Sequence, residues 1–380
     1  MNVLSIYTNY FPSEGGIQRV IKNLNENLVN RGHNVTVLCL HNGKMECEKI
    51  SGVNVIRIGG KRFFLEYSIA FKEYINKNTE LLKKSDIIHI HGYHNLFSWQ
   101  AIRLMKKLGF SNKVIYTPHS IGQGSNIKSN FLLRIFRIFS KSNFMIPQKV
   151  VCISNYEKQY ILKIFPNISN KIILIPNGIN FKIPDKPIIK KIDCNDIKLL
   201  FVGRIVPHKG LLYIIKMIPI FNQKFNGRIS LTIIGRGNYQ TQLERYVKSR
   251  QIQNISFIGQ ISDMGELEQY YKNSDIHILL SQSESYGLVV AEALANGLIS
   301  IVSNNSALKE FGLEKGCFLI DYPPNLEIFA NLINEICRTS QTIGPLNPKK
   351  IRNWETAAKE YEDEYEMIYK KTHNFYPTAE

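Results

Sequence analysis

Ser281-Gln282-Ser283-Glu284-Ser285-Tyr286-Gly287-Leu288-Val289-Val290-Ala291-Glu292-Ala293-Leu294-Ala295 is the stretch on which the reading of this chain turns. Ile276–Leu280 before it is a short apolar run of strand length. Leu288, Ala291, Glu292 and Ala295 after Gly287 repeat at the three and four spacing of a helix. Strand, polar turn and helix in succession place a helix N-terminus at the carboxyl edge of a sheet, where free backbone N–H groups attract anions, phosphates above all. Glu284 falls in the turn, and Glu292 falls eight positions later in an apolar, alanine-rich helix. A carboxylate in such surroundings needs hydrogen-bond donors, and sugar hydroxyls supply them. The alternative is a helix-capping Glu284 with a solvent-facing Glu292, and the pair alone does not choose between the two.

Strand-to-helix alternation extends on both sides. Upstream, the strands Lys198–Val202, Ser230–Ile234 and Asn254–Ile258 are each followed by a helical pattern; downstream, Ser300–Val302 reads as one more strand. Gly203-Arg204 to Lys209-Gly210 puts two cations and two glycines at the first of these turns. An arginine fork and a lysine point charge suit a diphosphate. The Walker spacing is absent, and Gly235-Arg236-Gly237 lacks the third glycine of a dinucleotide fingerprint.

The first half repeats the theme. Met1–Tyr7 reads as a strand, Asn9–Gly16 as a turn closing on Gly15-Gly16, Ile17–Arg31 as a helix and Val35–Leu40 as the second strand. A third strand is predicted at Asn54–Ile58, a helix across 63–84, and further strands at Asp86–Ile90, Val114–Thr117, Val150–Ile153 and Ile172–Ile175. Glycine at the first turn lets a ligand approach the backbone. His89, His91 and His94 crowd one strand end and His119 ends another. No carboxylate ligand lies close in sequence, so a polar strand end is preferred here to a metal site. Ser154-Asn155-Tyr156-Glu157 has the form of a capping box. Pro176-Asn177-Gly178 reads as a domain boundary, followed by a polar linker carrying Pro184 and Pro187. Beyond Pro348 a last helix runs through Trp354, Ala358, Tyr361, Tyr365 and Ile368.

With 380 residues the chain accommodates two domains, and its six cysteines are scattered without a Cys-x-x-Cys pair, as expected of reduced thiols rather than a structural zinc. Met1–Tyr7 lacks a basic, long apolar leader, and no apolar run reaches bilayer length, so neither a signal peptide nor a transmembrane helix is expected. Of the net charge of +17, residues 1–185 contribute +15, and residues 101–150 hold nine basic residues and no acidic one. That asymmetry points to an anionic partner for the first half. Phe131–Lys141, with Arg134, Arg137 and Lys141 at three and four spacing among bulky apolar residues, fits a basic amphipathic helix on an anionic membrane; a core helix with a charged edge fits as well.

Taken in order, several motifs resemble those of the retaining family 4 glycosyltransferases of GT-B fold. They are Gly15-Gly16, Ile175-Pro176-Asn177-Gly178, Phe201-Val202-Gly203-Arg204 with Lys209-Gly210, Gly235-Arg236-Gly237, Phe257-Ile258-Gly259, and Glu284 and Glu292 around Tyr286-Gly287-Leu288. The resemblance spans nearly the whole chain. It implies an α/β fold of two Rossmann-like βαβ domains facing across a cleft. An N-terminal acceptor domain would span 1–178, with a C-terminal helix 355–372 crossing back to it, and a nucleotide-sugar domain would span 179–350. By the same resemblance, Arg204 and Lys209 hold the donor diphosphate and Glu292 the ribose. Glu284 with the backbone of Gly287 and Leu288 holds the donor sugar, Ile258 faces the base, Gly16 approaches the diphosphate, and His119 sits near the sugar. The family's frequent Gly-Gly-x-x-Glu stretch is here Ser306-Ala307-Leu308-Lys309-Glu310, so the donor sugar is not assigned by analogy.

The expected activity is transfer of a sugar, with retention, from a nucleoside-diphosphate sugar, UDP-linked by family frequency. The acceptor would be a lipid-linked glycan or an oligosaccharide in surface polysaccharide biosynthesis. No Asp-x-Asp triplet occurs, so no metal and no cofactor are expected; Arg204, Lys209 and the helix N-terminus at Gly287 would meet the leaving-group charge. The expected location is cytoplasmic, peripheral on the inner face of the cytoplasmic membrane. A GT-B-like sugar-nucleotide epimerase, or a basic nucleic-acid-binding protein, are the competing readings; no RNA-binding signature is present.

Overall fold

The computed structural model describes residues 1–13, 15–60, 66–93, 95–120, 140–141, 143–225 and 228–373. The chain divides into two compact units, one of Met1–Gly178 with Trp354–Glu380, the other of Ile179–Asn353.

The first unit is built on an eight-stranded sheet. Its strands are β1 (Asn2–Ile6), β2 (Asn34–His41), β3 (Glu46–Ile50), β4 (Val53–Gly59), β5 (Ile87–His91), β6 (Val114–Thr117), β7 (Lys149–Cys152) and β8 (Ile172–Leu174). They lie in the order β3-β4-β2-β1-β5-β6-β7-β8, parallel except for β3, which runs antiparallel to β4. The central strands are buried on both faces, the signature of a parallel sheet covered by helices, with His89, His91 and Thr117 the polar residues among them in β5 and β6. The sequence reading missed β3, because all its residues but Ile50 are exposed and it has no apolar face to reveal it. The helix predicted across 63–84 is two, Ile69–Lys77 and Thr79–Lys84. The break falls at Asn78, whose side-chain amide donates to Tyr74 O at 2.8 Å and competes with the helical backbone.

Short strands β9 (Gly178–Ile179) and β10 (Ile188–Lys190) occupy the stretch read as a plain linker. The second unit has a six-stranded parallel sheet of β11 (Asp196–Val202), β12 (Arg228–Ile234), β13 (Ile255–Gly259), β14 (Ile276–Leu279), β15 (Ile299–Ser303) and β16 (Cys317–Ile320). Their order, β13-β12-β11-β14-β15-β16, reverses direction between β11 and β14. That is the doubly wound dinucleotide-type order, whose ligands bind beyond the carboxyl ends of the strands at the reversal. In the first unit the corresponding reversal lies between β1 and β5. After β16 comes a helix the sequence reading also missed, Leu326–Arg338, started by Asn325, whose Oδ1 accepts from Glu327 N at 2.9 Å and Ile328 N at 3.2 Å. β17 (Gln341–Ile343) pairs antiparallel with β10, and β18 (Arg352–Asn353) leads into the last helix.

That helix, Trp354–His373, belongs to the first unit. Trp354, Ala358, Tyr361, Tyr365 and Ile368 are all buried. On its flank Glu362 takes Arg31 Nη2 at 2.6 Å and His33 Nε2 at 2.8 Å. Burial would raise the Glu362 pKa, but hydrogen bonds from Arg31, His33 and Lys359 outweigh it and hold the carboxyl down at about 2. A carboxylate depressed in the folded state stabilises the fold above its unfolded value and loses that contribution as pH falls towards the folded one. The thermal midpoint of the wild type is therefore expected to drop between about pH 4.5 and 2 more steeply than that of Glu362→Gln, measured by circular dichroism melts across that range.

Candidate functional site

In the second unit the polypeptide leaves β11 through Gly203 and re-enters a helix at Leu211–Phe225 by way of Gly210, in the left-handed region at φ 72°. A Cβ on Gly210 would lie 1.9 Å from Leu280 O, so only glycine lets this turn rest against the end of β14. Gln282 N donates to His208 O at 2.8 Å, tying the two turns together. The same economy explains Gly235 and Gly237. A Cβ there would fall 1.9 Å from Gly203 O and 2.0 Å from Ile205 O, so loop packing alone requires both glycines.

The result is a contact between residues 75 apart in sequence: Lys209 Nζ pairs with Glu284 Oε1, both side chains 15% exposed. The sequence offered Lys209 no acidic neighbour, and the structure supplies one from the next turn. Arg204 is exposed on the same turn as Lys209. Burial first, then the charges of Lys209 and Arg204, push the pKa of the adjacent His208 down. Glu284 is held by its backbone too: its N–H donates to Ser306 Oγ at 3.0 Å and its carbonyl accepts from Ala307 N at 3.2 Å. Gly287, at φ 104°, caps the helix Leu288–Ala295, and its missing side chain makes room for Leu308 and Phe311. In the first turn of that helix Val290 N donates to Gly287 O at 3.0 Å, while the amides of Leu288 and Val289 precede the first intrahelical bond. From Val290 to Ala295 the helix is buried on all sides. Glu292, 1% exposed, is therefore not solvent-facing, and its Oε2 accepts from Tyr271 Oη at 3.0 Å. Ile258 is 41% exposed on β13, the edge strand.

In the first unit, Gly16 opens the helix Gly16–Asn30 that follows β1. It is exposed, and a Cβ there would meet nothing within 4 Å, so the chain's own packing does not demand glycine. His119 stands just past the end of β6, buried and in the left-handed region at φ 53°. Its Nε2 is 3.3 Å from His91 Nδ1, and the His91 ring lies 3.8 Å from that of His89. His89 in turn bonds Tyr365 Oη and Thr117 Oγ1, both at 2.7 Å. Burial lowers the pKa of all three, His119 to about 3, and mutual repulsion lowers His89 and His91 further. The rings are therefore neutral hydrogen-bond groups near pH 7 rather than cations.

The predicted capping box is half present. Ser154 Oγ accepts from Glu157 N at 3.1 Å, but the Glu157 carboxylate accepts from Ile153 N at 2.8 Å and from Ser120 N instead of returning to the cap residue. It thereby anchors the turn that carries His119, a role no sequence pattern signalled. Burial pushes this carboxyl up to about 8 against the pull of those two amides. Arg134 and Arg137 lie outside the described residues; Lys141 is exposed.

Residues 14–182 match the family model described as Glycosyltransferase Family 4, and residues 183–360 match Glycosyl transferases group 1. This chain belongs to the group 1 and family 4 glycosyltransferases. A glycosyltransferase of Methanocaldococcus jannaschii is 27% identical over 83% of each chain. The alpha-monoglucosyldiacylglycerol synthase of Acholeplasma laidlawii is 26% identical over 93% of this chain and 92% of its own. Among solved structures, sucrose-phosphate synthase from Thermosynechococcus elongatus superposes with a TM-score of 0.70 at 20% identity, covering 99% and 98% of the two chains. Anabaena HepE in complex with UDP and glucose superposes at 0.65 with 15% identity, covering 98% of each. The fold is accordingly GT-B, and the protein is a glycosyltransferase.

For this glycosyltransferase the two glycine turns separate cleanly by experiment. Gly210→Ala forces a side chain into the left-handed region and against Leu280 O, and should cost at least about 1–3 kcal/mol in urea unfolding. Gly16→Ala should change stability by no more than about 0.5 kcal/mol, because its Cβ has open space. If a ligand packs on Gly16, transfer activity falls in that variant all the same.

Proposed function

We propose that the protein transfers a sugar, with retention and without a metal, from a UDP-sugar to a lipid-linked glycan of a surface polysaccharide or glycolipid. The observation that carries the reading is the convergence of Arg204, the Lys209–Glu284 pair and the Gly287 helix N-terminus at the strand reversal of the second unit. Arg204 takes the diphosphate in a fork. Lys209, already against Glu284, is shared between that carboxylate and the nearer phosphate. Glu284 accepts hydrogen bonds from the donor sugar, Gly287 and Leu288 offer it backbone N–H groups, and Glu292 accepts from the ribose beside Tyr271. As the glycosidic bond breaks, negative charge grows on the leaving phosphate, where preorganised cations and helix amides stabilise it. Neutral His119 donates or accepts a hydrogen bond with a sugar hydroxyl but adds no charge.

Three features support the finer parts of this reading. HepE was solved with UDP and glucose, which favours a uridine donor here. The Acholeplasma relative is named for a glycolipid, which favours a lipid-borne acceptor. The excess of basic residues in 1–185 favours an anionic surface, and no helix among the described residues is long and apolar enough to cross a membrane. The epimerase reading loses weight, since both family models are of transferases.

A thermal-shift panel of nucleotide sugars identifies the donor, because a bound ligand stabilises by mass action. Arg204→Ala should weaken donor binding by about 10- to 100-fold, the worth of a charge-assisted contact, with Arg204→Lys restoring only part. Glu284→Ala should lower transfer at least as much, and chelator should leave wild-type transfer intact. Strict dependence on added divalent metal would contradict the proposal. Flotation with anionic liposomes at low salt, lost when Arg134, Arg137 and Lys141 are all replaced by Glu, tests the membrane arm.

A further inference from the structure

Ser306 occupies a backbone conformation that a residue with a side chain seldom adopts, φ 48°. It opens the stretch Ser306–Glu310, and at that φ glycine would be the relaxed choice. What serine supplies and glycine cannot is a hydroxyl. Its Oγ accepts the N–H of Glu284 at 3.0 Å and donates to Asn305 Oδ1 at 3.0 Å, which fixes the direction of its proton. The next residue, Ala307, donates its N–H to the Glu284 carbonyl at 3.2 Å. Glu284 is thus gripped at its amide, at its carbonyl and, through Lys209, at its carboxylate. The turn 281–287 is neither strand nor helix; Gln282 N on His208 O at 2.8 Å holds its start and Tyr286 Oη on Lys350 O its end, so Ser306 and Ala307 hold its middle, at Glu284. An unfavourable backbone conformation kept at a ligand-facing turn is the mark of a residue retained for its contact.

We propose that Ser306 is a positioning residue of the donor site, its hydroxyl holding the Glu284 peptide so that the Glu284 carboxylate meets the donor sugar at a fixed angle. This rests on the function proposed above. Of the nucleotide contacts, those on Arg204 and Glu292 do not pass through Ser306, and Lys209 meets it only through the Glu284 carboxylate. Loss of the hydroxyl therefore separates sugar transfer from nucleotide binding.

The test uses Ser306→Gly, which removes the hydroxyl and relieves the backbone, and Ser306→Ala, which removes the hydroxyl alone, in the full-length protein. Hydrogen exchange over 281–287 should quicken about tenfold in both, the loss of one hydrogen bond to a partly buried amide. Thermal stability of Ser306→Gly should equal or exceed wild type. Affinity for UDP, with GDP and ADP run in parallel, should stay within about twofold, while kcat falls by about tenfold. Unchanged exchange, or quicker exchange with unchanged kcat, overturns the proposal. So does a parallel fall in stability, nucleotide affinity and kcat, which marks Ser306 as merely structural. If the wild-type protein binds none of the three nucleotides and transfers no sugar, it is the proposed function that fails; the exchange measurement still decides whether Ser306 holds Glu284.

Discussion

The second unit depends on a distance too short for any side chain. Gly210 sits where a Cβ would be 1.9 Å from Leu280 O, so the turn after β11 and the turn after β14 lie directly against each other. These two strands are neighbours in the sheet although β12 and β13 separate them in sequence, because the strand order reverses there. Right-handed crossovers send the helices after β11 and β14 to opposite faces of the sheet and leave a crevice between them. Lys209 and Glu284 meet at its rim. The glycines at 235 and 237 extend the arrangement sideways by letting a third turn close on the first.

Charge in the protein is handled differently in the two units. In the second, cation and carboxylate are paired within the turn region, so the site carries a partly neutralised Lys209 beside an exposed Arg204. In the function proposed, an anionic donor meets one fork ready to bind and one lysine that must be shared. In the first, three histidines at the strand ends are buried deeply enough to be uncharged, and they are oriented by hydrogen bonds rather than by ion pairs. Neutral imidazoles hold direction without attracting phosphate, which suits hydroxyl recognition.

The last helix links the beginning and end of the chain. Tyr365 reaches His89, and Glu362 gathers Arg31 and His33, so residues more than 270 positions apart set the polar end of the first sheet. A buried Glu157 performs a similar service for the turn at His119 by accepting the Ser120 amide. Neither contact touches a residue assigned to substrate. Glu157 fixes the turn that carries His119, and Tyr365 fixes His89 in the same row of histidines.

Much of this was legible beforehand, for definable reasons. The βα alternation and the glycine turns follow from periodicity and local backbone chemistry, which sequence carries directly. So does the apolar stripe of the terminal helix, from Trp354 to Ile368. β3 has no buried face to reveal it, and Asn78 breaks a helix through its own side chain; Leu326–Arg338 did carry a local signature, the Asn325 cap and Phe329, Ala330, Ile333 and Ile336 at helical spacing, and went unread all the same. Tertiary structure alone decided that Gly235 and Gly237 pack against backbone, that Glu292 is buried against Tyr271, that Lys209 has a carboxylate partner, and that Ser306 reaches the Glu284 amide. Each is a contact across a long gap in the chain. It exists only after the parallel sheet has set strand order, and strand order is fixed by packing summed over both faces of the sheet, which no single stretch of residues contains.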